Sequence, residues 1–290
     1  MRDVYIHSAA CLAHDPVEDF ADVKRELEQS SGKKFRRVNR FIVLALASAY
    51  RLPDIAHADS ETSLYLGTKH GCATDSFGML TQMYRDELIP LPFTFINTSA
   101  NMAGFYVAQT LGLSGENYTF SQPWGSFEKA FSLAYRDIGS GRNEAALAGS
   151  CDEAVFPLEE ARRSMKMADD ETLLEGGCWM HLSSRFEGSL AKINRLGSVS
   201  SLAEAEEAYP SFKTDENTAV VIDATLNPES FRVESNTAEV IWLAEEKERV
   251  IGSAGGKLLV SLLSDHRYKG ILYLCREGLE RYTFWMIEKY

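Results

Sequence analysis

The apolar positions of this chain switch repeatedly between a strand period and a helix period, which predicts strands and helices in alternation. The clearest stretch is 111–130, LGLSGENYTFSQPWGSFEKA. Leu111 and Gly112 close one helix, with glycine where a left-handed cap residue belongs. Tyr118, Thr119, Phe120 and Ser121 are β-branched or aromatic and small, a strand pattern. Pro123 has no N–H to donate and ends the pairing. Gly125 and Ser126 open a second helix whose apolar positions Phe127, Ala130, Phe131, Ala134 and Ile138 follow helical spacing. Such a turn places Trp124 at a helix N-terminus, where free N–H groups and the dipole favour an anion or a thiolate.

The remaining pattern reads in order. Strands are predicted at 4–8, 64–68, 145–149, 178–182, 191–196, 218–223, 231–234 and 249–251. Segments 270–275 and 281–288 form a closing hairpin around Glu277 and Gly278. Helices are predicted at 35–50, 76–86, 237–247 and 257–264, with Asn236 or Thr237 capping the third. A further helix follows Asn97 or Thr98, either of which can cap it. Its Ser99, Ala100, Ala103, Gly104 and Ala108 are small enough for another backbone to approach closely. Segment 15–29 reads as an acidic surface excursion, 89–95 as an extended link and 198–210 as the connection between halves. Arg36, Arg37 and Arg40 read as a solvated basic edge. The stripe of Phe77, Leu80, Met83 and Tyr84 reads as core packing, as helical stripes usually do.

Composition narrows the class. With 290 residues the chain can bury a sizeable core. A net charge of −12 argues against nucleic acid or an anionic membrane as main partner. The start lacks the apolar region of a signal peptide, and the longest apolar run, 41–50, is far short of the ~20 residues that span a bilayer. Five scattered cysteines without a CxxC pair fit a reducing cytosol, so a cytoplasmic protein is expected. No GxSxG, Walker A, GxGxxG after a strand or HExxH is present, and no cofactor or metal is expected. Cys151 reads as a buried structural thiol; Cys72 and His70 are neighbours in sequence only; the acids at 159–160 and 169–171 read as solvated; His181 reads as outward or satisfied in the core.

The 111–130 stretch resembles the nucleophile turn of the β-ketoacyl synthases, members of the thiolase-fold superfamily. That family has a strand, Thr-Ala-Cys, small residues, and a helix with alanine six places after the cysteine; counting back from Ala130 gives Trp124. Asn101-Met102-Ala103-Gly104, the LGL segment, Gly141-Arg142 and AALAGSCDEA (145–154) are similar to the family's flanking segments. Glu175-Gly176-Gly177 looks like its Glu-Gly-Ala. The resemblance is specific over 97–154.

It implies an α/β thiolase-like fold: duplicated mixed sheets with helices between and outside, as one unit of 1–290. An N-terminal half of about 1–200 would be followed by a shortened half of about 215–290. The family's cysteine is replaced by Trp124, and its two second-half histidines are missing from FRVESNTAE (231–239) and RVIGSAGGK (249–257); His266 lies outside both. By resemblance the chain is a non-catalytic, chain-length-factor-like subunit of a type II polyketide system, most similar to the ketosynthase-like subunit of aryl polyene clusters. Its partners would be a catalytic ketosynthase and, through that complex, acyl carrier protein. Gln122 lies two places before the position where related factors carry glutamine, which argues against malonyl decarboxylation. The resemblance puts Asn117, Tyr118, Thr119, Phe120 and Ser121 in an intersubunit ladder, with Asn101, Ala103, Gly104 and Ala108 nearby. Met79, Leu80, Met83 and Trp124 would wall the tunnel, Trp124 buried where an acyl-cysteine would lie. The alternative is a stand-alone acyltransferase or acyl-binding protein using the cleft differently.

Overall fold

The computed structural model describes residues 1–53, 55, 58–209, 212, 214–223, 226, 238–277 and 281–290. Among these residues, eleven strands join in one sheet system. The first half runs β3 (Asn117–Ser121), β2 (Ser63–Thr68), β4 (Ala145–Asp152), β5 (Thr172–Ser183), β1 (Val4–His14). The path continues through β6 (Ala191–Val199), β11 (Tyr282–Lys289), β10 (Gly270–Arg276), β7 (Thr218–Ile222) and β8 (Glu239–Trp242). In each half the three strands at the outer end are parallel and the next two antiparallel. Read from its outer edge inward, each half has the same strand order. The expected duplication is therefore present in the topology. Because β6 holds in the second half the place of β1 in the first, that repeat starts at Ala191, upstream of the division at 200–215 read from the sequence. Val4, Tyr5 and Ile6 of β1 pair with β6, and β9 (Glu248–Val250) of the second half pairs with Thr172–Leu174 of β5, so among the described residues two short seams join the halves.

The layers follow from which faces are apolar. Helices α6 (Ser126–Gly139) and α9 (Ala254–Ser264) lie between the two halves in one core with Tyr65, Met180, Tyr273 and Trp285. On the outer face of the first half sit α1 (Phe20–Ser31), α2 (Arg40–Ala49) and α5 (Asn101–Leu111). Helix α2, RFIVLALASA, is apolar all round and buried from Phe41 onward, as such a helix must be. Asn39 caps it, its side chain accepting from the Ile42 N–H at 2.9 Å. Helix α8 (Leu202–Ala208) covers the second half's outer face, above Val220, Leu272 and Phe284. Strand β2 is buried along its whole length, as a parallel strand covered on both faces is.

Several expectations are corrected. Segment 15–29 contains α1, which Asp19 caps and which buries Val23 and Leu27 despite its charge. The extended link at 89–95 contains α4 (Pro92–Asn97), begun by proline at its first turn, and Thr98 ends that helix instead of capping the next. The connection at 198–210 contains α8, capped by Ser201. The helix expected at 237–247 is instead β8 followed by a 3-10 turn, Leu243–Glu245; Val240, Ile241 and Trp242 suit the open edge beside β7. The strand expected at 231–234 and the hairpin turn at Gly278 lie outside the described residues.

One close approach sets the spacing of the layers. A Cβ on Gly67 of β2 would lie 2.2 Å from the Ser126 carbonyl oxygen, so the start of α6 rests directly on that strand. Gly67→Ala should therefore destabilise the fold by about 1–3 kcal/mol, read from urea unfolding midpoints. An unchanged midpoint would show that α6 can lift without cost.

Candidate functional site

The turn from β3 to α6 stands at the C-terminal ends of the parallel strands. The Gln122 N–H continues the pairing by donating to Thr68 O at 3.1 Å. Its side-chain amide donates to the carbonyls of Trp124 (2.7 Å) and Gly125 (2.8 Å), closing the turn on itself. Gly125 is left-handed, φ 64°, and the Lys129 N–H donates to its carbonyl to start α6. The Trp124 ring does not enter the core. It is 44% exposed, with the Arg276 guanidinium 5.2 Å from its centroid. The expectation that it is buried in place of an acyl-cysteine is thereby corrected: the turn aims the indole outward, and Phe127, one helical step on, fills the interior.

Beneath the turn is a cluster of acids. The Tyr273 hydroxyl donates to buried Glu128 at 2.5 Å, and a Cβ on Gly255 would lie 2.2 Å from that hydroxyl. Only a bare α9 N-terminus fits over the pair. Asp223 accepts from the Arg276 N–H at 3.2 Å, and Glu277 accepts from the Thr283 hydroxyl at 3.0 Å. Burial, reinforced by Asp223, pushes the Glu128 carboxyl up to about 7.

A second buried carboxylate organises the end of β2. Asp152 accepts from the Thr68 hydroxyl (2.8 Å) and from the N–H groups of Lys69 (2.8 Å), His70 (2.6 Å) and Gly71 (3.3 Å). Gly252 packs so tightly on it that a Cβ would lie 1.9 Å from its carboxylate. Burial outweighs these donors and pushes Asp152 up to about 7, and does the same to Glu153. Ser150 and Ser253 meet at 2.7 Å, tying β4 to the loop before α9. His70, lowered by burial, borders a mainly apolar cavity of about 380 Å³ with Val155, Phe156, Ala161, Met165 and Ile251. At the opposite ends of the strands lies a polar cavity of about 880 Å³ that includes His7, Arg142, His181 and Ser183. His181 is half-buried at this cavity; among the described residues its Nε2 has no hydrogen-bond partner, and burial, with His7 beside it, holds it down at about 4.

The expected interface residues divide. Among the described residues β3 is the terminal strand of the sheet and pairs only with β2, so there Asn117–Ser121 presents an open edge. Ala103 and Gly104 are buried within their own chain; a Cβ on Gly104 would lie 2.8 Å from Asn117 Oδ1 and 3.2 Å from Thr119 Oγ1. The close approach at Gly104 is made by side chains of the chain's own β3 and β2. Ala108 also packs on the outer core of the first half, while Asn101 is exposed. Helix α3 (Ala73–Tyr84) buries no residue at all, which overturns its reading as core packing. Phe77, Leu80, Met83 and Tyr84 are exposed and Met79 half-buried. They continue into exposed Ile89, Phe95 and Phe105 on neighbouring segments.

Sequence reasoning missed three features. Glu175 is fully buried, ion-paired with Arg40 and hydrogen-bonded to His14, so Arg40 is no solvated edge. Glu171 is held by Arg249 instead of being solvated. Asp152 and Glu128 also escaped notice, because a carboxylate in an apolar block was their only signal. Cys72 and Cys151 are raised by burial, Cys72 to about 11, which leaves them unreactive thiols. Among the described residues no group of three or more His, Cys, Asp or Glu could hold a metal, and no helix is long and apolar enough to cross a membrane.

Comparison with known proteins gives a consistent result. The β-ketoacyl synthase N-terminal domain family matches residues 6–171, more than half of the chain. No curated protein matches by sequence. Among solved structures, the ishigamide ketosynthase/chain length factor superposes with a TM-score of 0.70 at 15% identity, covering 99% of each chain. A type II PKS acyl-carrier protein complex with its ketosynthase bound to the hexaketide (AntDE:AntF) gives 0.69 at 14%, covering 100% of each. Ketosynthase twelve of the bacillaene polyketide synthase of Bacillus amyloliquefaciens gives 0.64 at 12%, over 99% of this chain and 73% of that one. At such identities the likeness shows the fold, and that fold is thiolase-like.

Two outcomes follow from the site. A carboxyl with a raised folded-state pKa holds its proton more tightly in the fold than in the unfolded chain. Its stabilising contribution is complete below the ordinary values of 3.8 and 4.5 and is lost as pH rises to about 7. The melting temperature should thus fall between about pH 5 and pH 8, and Glu128→Gln should remove roughly one proton's share of that slope. A flat or rising profile would contradict the buried-acid assignment. Trp124→Ala, which loses one exposed cation–π contact, should cost about 1 kcal/mol or less in urea unfolding. A cavity-sized loss would mean that the ring is buried.

Proposed function

The chain belongs to the β-ketoacyl synthase family, and from that premise we propose that it serves as the non-condensing, chain-length-factor-like subunit of a ketosynthase heterodimer. The observation that carries this reading is the uncovered face beside the β3–α6 turn. There α3 and the neighbouring α4 expose large apolar side chains, and α5, which packs on the edge strand β3, exposes Phe105. An unpaired strand edge and an apolar surface of this extent are liabilities in a lone chain and fit a protein partner. A homologous ketosynthase offers the matching strand and the matching apolar helices. The Asn117–Ser121 edge would pair across the interface, and Met79, Leu80 and Met83 would face the partner's acyl tunnel.

The non-condensing part rests on the turn. The family's register puts Trp124 at the nucleophile position, and an indole forms no thioester. Segment 249–257 has no histidine to support decarboxylation, and neither has 231–239. The subunit's contribution is then shape: it completes the cavity in which the partner elongates a polyketide chain, of the aryl polyene type, delivered by acyl carrier protein. We place the complex in the cytoplasm, with both halves of this chain acting as one unit. A second reading, a self-contained acyltransferase or acyl-binding protein, is favoured by one observation, the apolar cavity of about 380 Å³ beside His70.

The two readings separate experimentally. Co-expressed with an untagged ketosynthase, the chain should co-elute with it on size exclusion. Phe77→Asp combined with Leu80→Asp should weaken that association by roughly tenfold or more without unfolding the chain, since neither residue is buried. The partner's condensing activity should fall in parallel. Full association and activity in the double variant would exclude this face. Trp124→Cys should remain inactive alone; condensation by that variant without a partner would favour the stand-alone reading.

A further inference from the structure

Two cysteines that neither the fold nor the proposed role uses stand directly opposite each other. Cys11 on β1 and Cys178 on β5 are register partners in the antiparallel ladder. Opposed residues in such a ladder have Cα atoms about 4.5–5.5 Å apart, inside the range a disulfide spans. Side chains at paired positions share one face of the sheet. That face is the one toward α9: a Cβ on Gly256 would lie 3.0 Å from the Cys178 Cβ, and the Cys178 thiol has the Ser253 carbonyl 3.9 Å away. Ser150, the β4 partner of Cys178, reaches the same loop through Ser253, whereas Cys151 faces α2 and the Phe41 carbonyl. The pair is thus separated from the third nearby cysteine by the sheet itself.

Access is unequal in a useful way. Strand β1 pairs with β6 only through Ile6, so its far half, which carries Cys11, is an edge. Cys11 is partly exposed, while Cys178 is fully buried. The Cys178 thiol, in contact with the Cys11 sulfur, holds the Cys11 thiol below its ordinary value, and Lys257 of α9 adds to this. Burial keeps Cys178 protonated. The more accessible sulfur is therefore also the one with the lowered thiol pKa, and the buried one is its neighbour.

We propose that Cys11 and Cys178 form a peroxide-sensitive thiol pair that closes to a reversible cross-strand disulfide. The Cys11 thiolate attacks one oxygen of a hydroperoxide; the O–O bond breaks, the sulfur is oxidised to a sulfenic acid, and the other oxygen leaves as water or alcohol after taking a proton. The Cys178 sulfur then attacks the sulfenic sulfur, its proton departs with the hydroxyl as water, and the S–S bond forms. A dithiol reductant restores both thiols. Cytosolic disulfides of this transient kind are the sort a reducing compartment permits.

The test uses the full reduced chain and hydrogen peroxide. Intact mass should fall by two hydrogens, and non-reducing peptide mapping should join the Cys11 and Cys178 peptides. Cys178→Ser should stop the reaction at a Cys11 sulfenic acid that dimedone traps. Cys11→Ser should slow thiol loss about tenfold or more, because Cys72, Cys151 and Cys275 are all raised by burial. The peptide map of the unmutated chain decides the matter even if a serine variant folds poorly. An unmodified Cys11, a bridge to any other cysteine, or dimedone labelling spread evenly over the cysteines would overturn the proposal.

Discussion

Two helices buried between two sheets are the constraint on which the rest of this structure depends. Helix α6 is buried along most of its length and α9 along the side that carries Gly255, Gly256, Leu259 and Leu262, so both must be slim where they meet strands and each other. Gly67 lets α6 lie on β2, and Gly255 and Gly256 let α9 pass Tyr273, Glu128 and Phe127. Van der Waals contact at these points admits no Cβ, which is why the glycines stand inside regular elements that would otherwise avoid them.

The same burial creates the chemistry of the cleft. Polar groups at the N-termini of the two helices cannot reach water, so each must find a partner inside. Glu128 finds Tyr273, Ser150 finds Ser253, and Asp152 gathers the N–H groups of the β2–α3 turn. These bonds hold the ends of both half-sheets in register. Burial also pushes the carboxyls of Glu128 and Asp152 up to about 7.

The outer face shows the opposite economy. Helix α3 is well formed yet buries nothing, and β3 leaves one side of its ladder open. Exposed phenylalanines on three successive segments cost solubility, and a second protein would remove that cost by covering them.

Local pattern was enough for the order of elements, the β3–α6 turn and the closing hairpin, because glycine, proline and β-branched residues act on their own few neighbours. Five elements escaped: α1 and α8 are begun by the side-chain caps Asp19 and Ser201, α4 by proline at its first turn, the helix Leu158–Ser164 lies in a charged stretch, and β8 is held by pairing with β7. The direction of a side chain was beyond the sequence. The α3 stripe has the spacing of a core face, yet it is exposed, while the small residues Ala103 and Gly104 of α5 are buried within their own chain. Periodicity says that one face is apolar; only the tertiary arrangement of β2 and β3 decides whether the chain itself supplies the surface that covers it. In the same way, the cross-strand meeting of Cys11 with Cys178 depends on a register between residues far apart in sequence, which no local rule determines.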